Sequence, residues 1–201
     1  MIRDKRARAK LPKGLFQTSL VGILLTIQLL PACGSSASPA LPTSSAGATA
    51  PITRPDWFKI AMTDVRTGKS FTINDFAGSV VLIETIAQWC SNCLFQQGET
   101  RNLRQQLGNP EDFIVISLDV DVHEDEATLK KYTADFGFDW RFAVAPLEVA
   151  RAIGNLYSAE YLNPPLDPML LIDRQGNVYQ LPYGMKKADT LQKTLEPYLA
   201  K

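Results

Sequence analysis

The chain has 201 residues, a length that suits one domain with an extension. Its 21 basic and 21 acidic residues cancel, but unevenly: from Gly34 onward 15 basic residues stand against 20 acidic ones, a net charge of about −5. With no basic stripe left to neutralise phosphates, nucleic acid is not an expected partner.

The first 14 residues are basic, with Arg3, Lys5, Arg6, Arg8, Lys10 and Lys13 against Asp4. An apolar run from Leu15 to Leu30 follows, then Leu30-Pro31-Ala32-Cys33-Gly34. A basic start, a short apolar stretch and a small residue before the cut read as a secretory signal. A cysteine directly after the cut resembles a bacterial lipoprotein signal, which implies lipidation of Cys33 and segment 1–33 as the signal. The alternative is an uncleaved membrane anchor, the run being near the lower length limit for spanning. Both place the domain on the extracytoplasmic face of the cell membrane. Residues 34–55 are rich in Ser, Ala, Pro, Thr and Gly and nearly uncharged. Such a stretch cannot bury enough apolar surface to offset its ordering entropy, so it is expected to be a tether.

The folded part is expected over 56–201. Trp57-Phe58-Lys59-Ile60-Ala61-Met62 reads as a strand, Arg66-Thr67-Gly68-Lys69 as a turn, and Ser70-Phe71-Thr72-Ile73 as a second strand. Val80-Val81-Leu82-Ile83-Glu84-Thr85-Ile86 then reads as a buried strand with one acid in its middle. It runs through Ala87-Gln88 into Trp89-Cys90-Ser91-Asn92-Cys93, and a helical pattern extends from Leu94 to Leu107. Two cysteines at this spacing can close a small disulfide. At a helix start, unpaired N–H groups and the helix dipole favour a thiolate, lowering the pKa of Cys90 and making it a nucleophile. Cys93, one turn on, would resolve the mixed disulfide.

Other readings of these residues stay open. The pair could be half of a zinc site, but a structural site needs four ligands and only Cys33 and His123 remain. It could also be a structural disulfide. Trp89 at a strand end could simply be core. An ionised, unpaired acid inside an apolar strand costs several kcal/mol, roughly. Glu84 is therefore salt-bridged, placed at an open edge, or raised in pKa by desolvation and able to take the proton that Cys93 must lose.

The remainder alternates strand and helix. Phe113-Ile114-Val115-Ile116-Ser117-Leu118 reads as a strand covered on both faces. The acidic stretch from Asp119 to Glu126, which holds His123, reads as a loop and helix start, with metal binding as the alternative. Ala127, Leu129, Tyr132, Thr133 and Phe136 follow helical spacing to Gly137. Arg141-Phe142-Ala143-Val144 is a short strand, and Pro146 opens a helix with Leu147, Ala150 and Ile153 on its apolar face. After Asn163-Pro164-Pro165-Leu166-Asp167-Pro168 come the strands Met169-Leu170-Leu171-Ile172-Asp173 and Val178-Tyr179-Gln180-Leu181. Leu191, Thr194, Leu195, Tyr198 and Leu199 mark a closing amphipathic helix.

From Trp57 to Leu199 the chain resembles the thioredoxin superfamily, and its opening hairpin resembles the TlpA/ResA-like membrane-tethered branch. The resemblance implies an α/β thioredoxin-like three-layer fold, a central mixed β-sheet flanked by helices with an N-terminal β-hairpin extension. It implies a thiol-disulfide oxidoreductase with Cys90, Cys93 and Glu84 as catalytic residues. Glu84 stands six residues before Cys90, where the superfamily usually has Asp. A cis proline lining the substrate groove beside Trp89 is also implied; Pro168 matches it by counting back from Gly176, with Pro165 as the alternative. Expected partners are protein thiols or disulfides and a membrane electron donor, with no metal, nucleotide or haem cofactor. Two alternatives share the fold: a Sco-like copper chaperone, which uses Cys-x-x-x-Cys and a late histidine where this chain has Leu181-Pro182-Tyr183-Gly184, and a thiol peroxidase, whose Pro-x-x-x-Thr-x-x-Cys setting is absent. A redox-inactive binding module is opposed by the intact pair.

Overall fold

A computed structural model of the chain describes residues 52–200. The signal segment, Cys33 and all but the end of the expected tether lie outside the described residues.

Strand β4 (Val80–Ile86) is the axis of the domain and is buried at every position. The parallel strand β5 (Phe113–Asp119) lies on one side of it and the antiparallel β7 (Met169–Ile172) on the other. The six-stranded mixed sheet runs β1-β8-β7-β4-β5-β6, completed by β1 (Ile52–Thr53), β6 (Arg141–Val144) and β8 (Asn177–Gln180). Strand periodicity divides the apolar residues of β4 between two cores. Val80, Leu82 and Ile86 face a core with Leu103 of helix α1 (Ser91–Gln106), Leu129 of α2 (Glu126–Phe136), and Leu191 and Leu195 of α4 (Ala188–Leu199). Val81 and Ile83 face the opposite core with Val149 and Ile153 of α3 (Leu147–Leu156), Trp57 and Tyr161. These are the three layers expected.

The opening of the domain differs from the expectation. Residues Asp56–Lys59 form a 3-10 turn, not a strand, and β2 begins only at Met62 (Met62–Asp64). The reason is packing. Trp57 and Phe58 are consecutive and both buried in the α3-side core, whereas a strand would send them to opposite faces. The turn lets both rings enter, with the Trp57 indole donating to the Tyr157 hydroxyl at 3.3 Å. Strand β3 (Lys69–Phe71) pairs with β2 as the expected hairpin, and stops early because Ile73 enters a second 3-10 turn. Asp75 accepts from the Thr72 N–H at 2.7 Å and caps that turn.

Helix α2 starts at a capping box: Asp125 accepts from the Thr128 N–H at 2.8 Å. It stops at Gly137, whose φ of 63° is the left-handed conformation open to glycine. The loop that precedes the helix is set beside the end of β4 by the Val120 N–H, which donates to the Ile86 carbonyl at 3.0 Å.

Leu82 is fully buried in β4, between Val115 and Leu171 on its neighbouring strands. Leu82→Ala is expected to lower stability by about 2–5 kcal/mol, from lost burial plus the cavity left behind. A shift in the urea midpoint of the oxidised protein, without a change in slope, checks this.

Candidate active site

The backbone leaves β4 at Ile86, turns through Ala87-Gln88-Trp89, and enters α1 with Cys90 as its N-cap. Cys90 Sγ accepts the Cys93 N–H at 3.1 Å, using one of the free donors of the first turn. A thiolate at Cys90 would keep that bond and gain from the helix dipole, which lowers the thiol pKa. Cys90 and Cys93 are joined by a disulfide across Cα atoms 5.3 Å apart. Both are buried, whereas the Trp89 indole beside them is 61% exposed and donates to Asp121 Oδ2 at 2.6 Å. Trp89 is therefore a surface residue of the site and not core.

Cys93 Sγ lies 3.4 Å from the Pro164 carbonyl oxygen. On reduction a Cys93 thiol can donate there, which favours its neutral form. Deeper in, Cys93, Glu84, Gln96, Asp167 and Pro168 line one cavity of about 10 Å³. That is close to the room of a single water.

Glu84 is neither salt-bridged nor at an edge. It lies on the central strand, 2% exposed, and receives hydrogen bonds from the Thr100 hydroxyl of α1 and, at 3.2 Å, the Ser117 hydroxyl of β5. Trp140 Nε1 donates to Ser117 at 2.9 Å, which leaves the Ser117 proton for Glu84. Burial pushes the Glu84 carboxyl up to about 7, against the lowering effects of Thr100, Ser117 and the charge of Lys186. At that value the group exchanges its proton near neutral pH, as a general base must.

The expected cis proline is not found: Pro168 and Pro165 both follow trans bonds, and the described residues contain no cis peptide. The chain instead turns into β7 through Asp167, whose φ of 48° and ψ of 52° are left-handed. Pro168 is buried and lines the cavity with Cys93. His123 is exposed on the β5–α2 loop, and its N–H donates to Asp121. Among the described residues no cluster of three or more His, Cys, Asp or Glu is placed to hold a metal.

Three contributors were missed by the sequence reading. Thr100 and Gln96 fall on the buried face of α1 with Cys93, at spacings of three and four residues. That polar stripe running on from Cys93 was the available signal. Lys186 gave none. It is 8% exposed in the loop after β8, donating from Nζ to the carbonyls of Asp167 (2.8 Å) and Gly184 (2.6 Å). Gln96 clamps its backbone, accepting from Lys186 N at 2.6 Å and donating to Lys186 O at 3.0 Å. Burial lowers the Lys186 pKa to about 8, opposed by Asp167 and Glu84. Burial likewise raises that of Asp167, whose buried Oδ1 has no hydrogen-bond partner.

The architecture matches solved thioredoxin-family structures. A thiol:disulfide interchange protein from Chlorobium tepidum TLS superposes with a TM-score of 0.61 at 18% identity, over 77% of this chain and all of that one. The thioredoxin domain of a thiol-disulfide oxidoreductase from Bacteroides vulgatus gives 0.57 at 19%, over 77% and all of the two chains. An exposed lipoprotein thioredoxin from Streptococcus pneumoniae strain TIGR4 gives 0.51 at 22%, over 69% and 98%. No family model and no curated protein matches the chain. The fold is thioredoxin-like, and it carries a Trp-Cys-x-x-Cys disulfide at the start of its first helix.

In the unfolded chain Glu84 titrates near 4.5, and in the native one near 7. The native state holds the proton longer, so between these values stability falls as pH rises, and the penalty is complete above about 7. Glu84→Gln has no such term. Its stability relative to the parent is expected to climb from pH 4.5 to 7, by up to about 3 kcal/mol. Paired denaturant titrations across that range read the difference.

Proposed function

We propose that the protein is an extracytoplasmic thiol-disulfide oxidoreductase, held at the cell membrane by lipid on Cys33. The observation that carries the redox assignment is the Cys90–Cys93 disulfide at the α1 N-terminus, with Cys93 and Glu84 lining one small cavity. In the reducing direction, the Cys90 thiolate attacks one sulfur of a partner disulfide. The partner's S–S bond breaks, its other sulfur leaves as a thiolate, and a mixed disulfide forms. Glu84, as carboxylate, then takes the Cys93 proton directly or through one water. The Cys93 thiolate attacks Cys90 Sγ, closing the Cys90–Cys93 disulfide and releasing the second partner sulfur as a thiolate. Two electrons pass to the partner, and a membrane electron donor returns them. The same steps in reverse oxidise a dithiol.

Trp89, exposed beside the sulfurs, provides the binding surface in this reading, and Pro168, buried, supports it from the cavity it lines with Cys93. The lipid anchor is supported by the leader ending at Leu30-Pro31-Ala32-Cys33 and by the likeness to a structure described as an exposed lipoprotein thioredoxin.

Cys93→Ser is expected to accumulate mixed disulfides with partner proteins in cells, and Cys90→Ser to accumulate none. Equal trapping by both variants would overturn the assigned roles. Glu84→Gln is expected to slow the resolving step by about 10²–10⁴-fold while leaving Cys90 alkylation little changed. Stopped-flow reduction of a model disulfide separates the two steps.

Cys33→Ser is expected to abolish incorporation of labelled palmitate and to release the protein from the membrane fraction. Continued labelling would show that Cys33 is not the lipid site.

A further inference from the structure

The turn that carries Cys90 is held from one side by carboxyl groups. Gln88 N–H donates to both oxygens of Glu124, at 3.1 and 2.8 Å. Its side-chain Nε2 donates to Asp119 Oδ2 and Thr128 Oγ1, each at 3.2 Å. The Trp89 indole donates to Asp121, and Cys90 N–H returns to the Ala87 carbonyl at 3.1 Å. Both residues between Ala87 and the nucleophile are thus fastened to the segment that ends β5 and begins α2.

Asp119, the last residue of β5, is fully buried. Its Oδ1 accepts the Asp121 N–H at 3.1 Å, and its side chain neighbours that of Glu124, both carboxyls being bonded to Gln88. Two neighbouring carboxyls in a buried setting favour keeping one proton between them. Burial first, and Glu124 second, push the Asp119 carboxyl up to about 7. The surrounding groups do not replace that proton with a cation. Asp121 and His123 share the loop, Tyr132 comes from α2, and Glu84 from β4 is a further acid. Arg141, the titratable residue of β6, stacks over the Phe76 ring. The ion pairs of the described residues include none of Asp119, Asp121 or Glu124.

We propose that Asp119 and Glu124 are positioning residues for Cys90: sharing one proton, the two carboxyls hold Gln88 directly, and Trp89 through Asp121, in the turn that presents the nucleophile, and loss of that proton to solvent loosens it. Two adjacent carboxylates repel. Glu124 is only partly buried, so it is the partner able to swing outward, surrendering the Gln88 N–H to water. The inference rests on the oxidoreductase reading for its meaning but not for its test.

The test follows Cys90 alone, in reduced protein carrying Cys93→Ser, by iodoacetamide alkylation from pH 5 to 9. Trp89 emission, taken as the difference from Trp89→Phe, is followed in parallel. The parent is expected to show an inflection near pH 7 in both signals, separate from the thiol's own titration. Glu124→Gln can still accept from Gln88 and donate to Asp119 without titrating, so it is expected to remove that inflection from both. Glu124→Ala is expected to shift alkylation about tenfold at pH 6, the size of one lost charge-assisted hydrogen bond. It should also give the loosened Trp89 signal at every pH. A parent profile with the thiol inflection alone, superimposed on that of Glu124→Gln, would overturn the proposal. So would equal behaviour of the Gln and Ala variants. Reduction of a model disulfide by the unsubstituted protein is scored separately, so an inactive oxidoreductase and an idle carboxyl pair give different results.

Discussion

A carboxyl group fixed in the middle of the central strand is the constraint around which this domain is arranged. Glu84 has strands on both sides and helices over its face, so water cannot solvate its charge. The fold does not answer with a salt bridge. It supplies two hydroxyls, Thr100 from α1 and Ser117 from β5, and sets the ammonium of Lys186 close enough to act through space. A bonded counter-ion would have pinned Glu84 as a permanent carboxylate. Hydroxyl partners tolerate both protonation states, since each can donate to the carboxylate or accept from the acid. The buried acid therefore stays titratable near neutrality, in the cavity it shares with Cys93.

The second demand is met at the other end of the same strand. Cys90 ends the turn after β4 and caps α1, where free N–H groups stabilise sulfur as an anion. One helical turn on, Cys93 contacts the Pro164 carbonyl, which favours a neutral thiol. Two cysteines three residues apart thus sit in opposite electrostatic surroundings, one favouring an anionic sulfur and the other a neutral thiol. The segments that complete the site arrive from three places in the chain: the β5–α2 loop grips Gln88 and Trp89, the Asn163–Pro168 segment meets Cys93, and the loop after β8 brings Lys186 under Gln96.

Lys186 and Asp167 show how far burial governs this site. Lys186 is held in the interior by backbone carbonyls, while the Asp167 carboxyl keeps a buried Oδ1 with no hydrogen-bond partner. Their pKa values move toward neutrality from opposite directions, as desolvation requires. The region below the sulfurs consequently holds several groups whose charge is set by small differences in environment.

Much of this was legible in the sequence because it is local. The apolar run of β4, the acid six residues before Cys90, the Cys-x-x-Cys at a helix start and the alternation of strand and helix are patterns of near neighbours, and they defined the fold class and the central pair. Patterns failed where packing overruled propensity. Trp57 and Phe58 read as strand until both rings had to enter one core, and a 3-10 turn resulted. Pro168 was expected after a cis bond, and the chain made its turn with a left-handed Asp167. Thr100, Gln96, Lys186 and the Asp119–Glu124 pair could be assembled only by the tertiary structure. Their roles depend on desolvation and on contacts between residues up to 90 positions apart, quantities that no local window of sequence contains. What the sequence determined by itself was the chemistry available, two thiols and a buried acid; the packing of distant loops decided which protons those groups share.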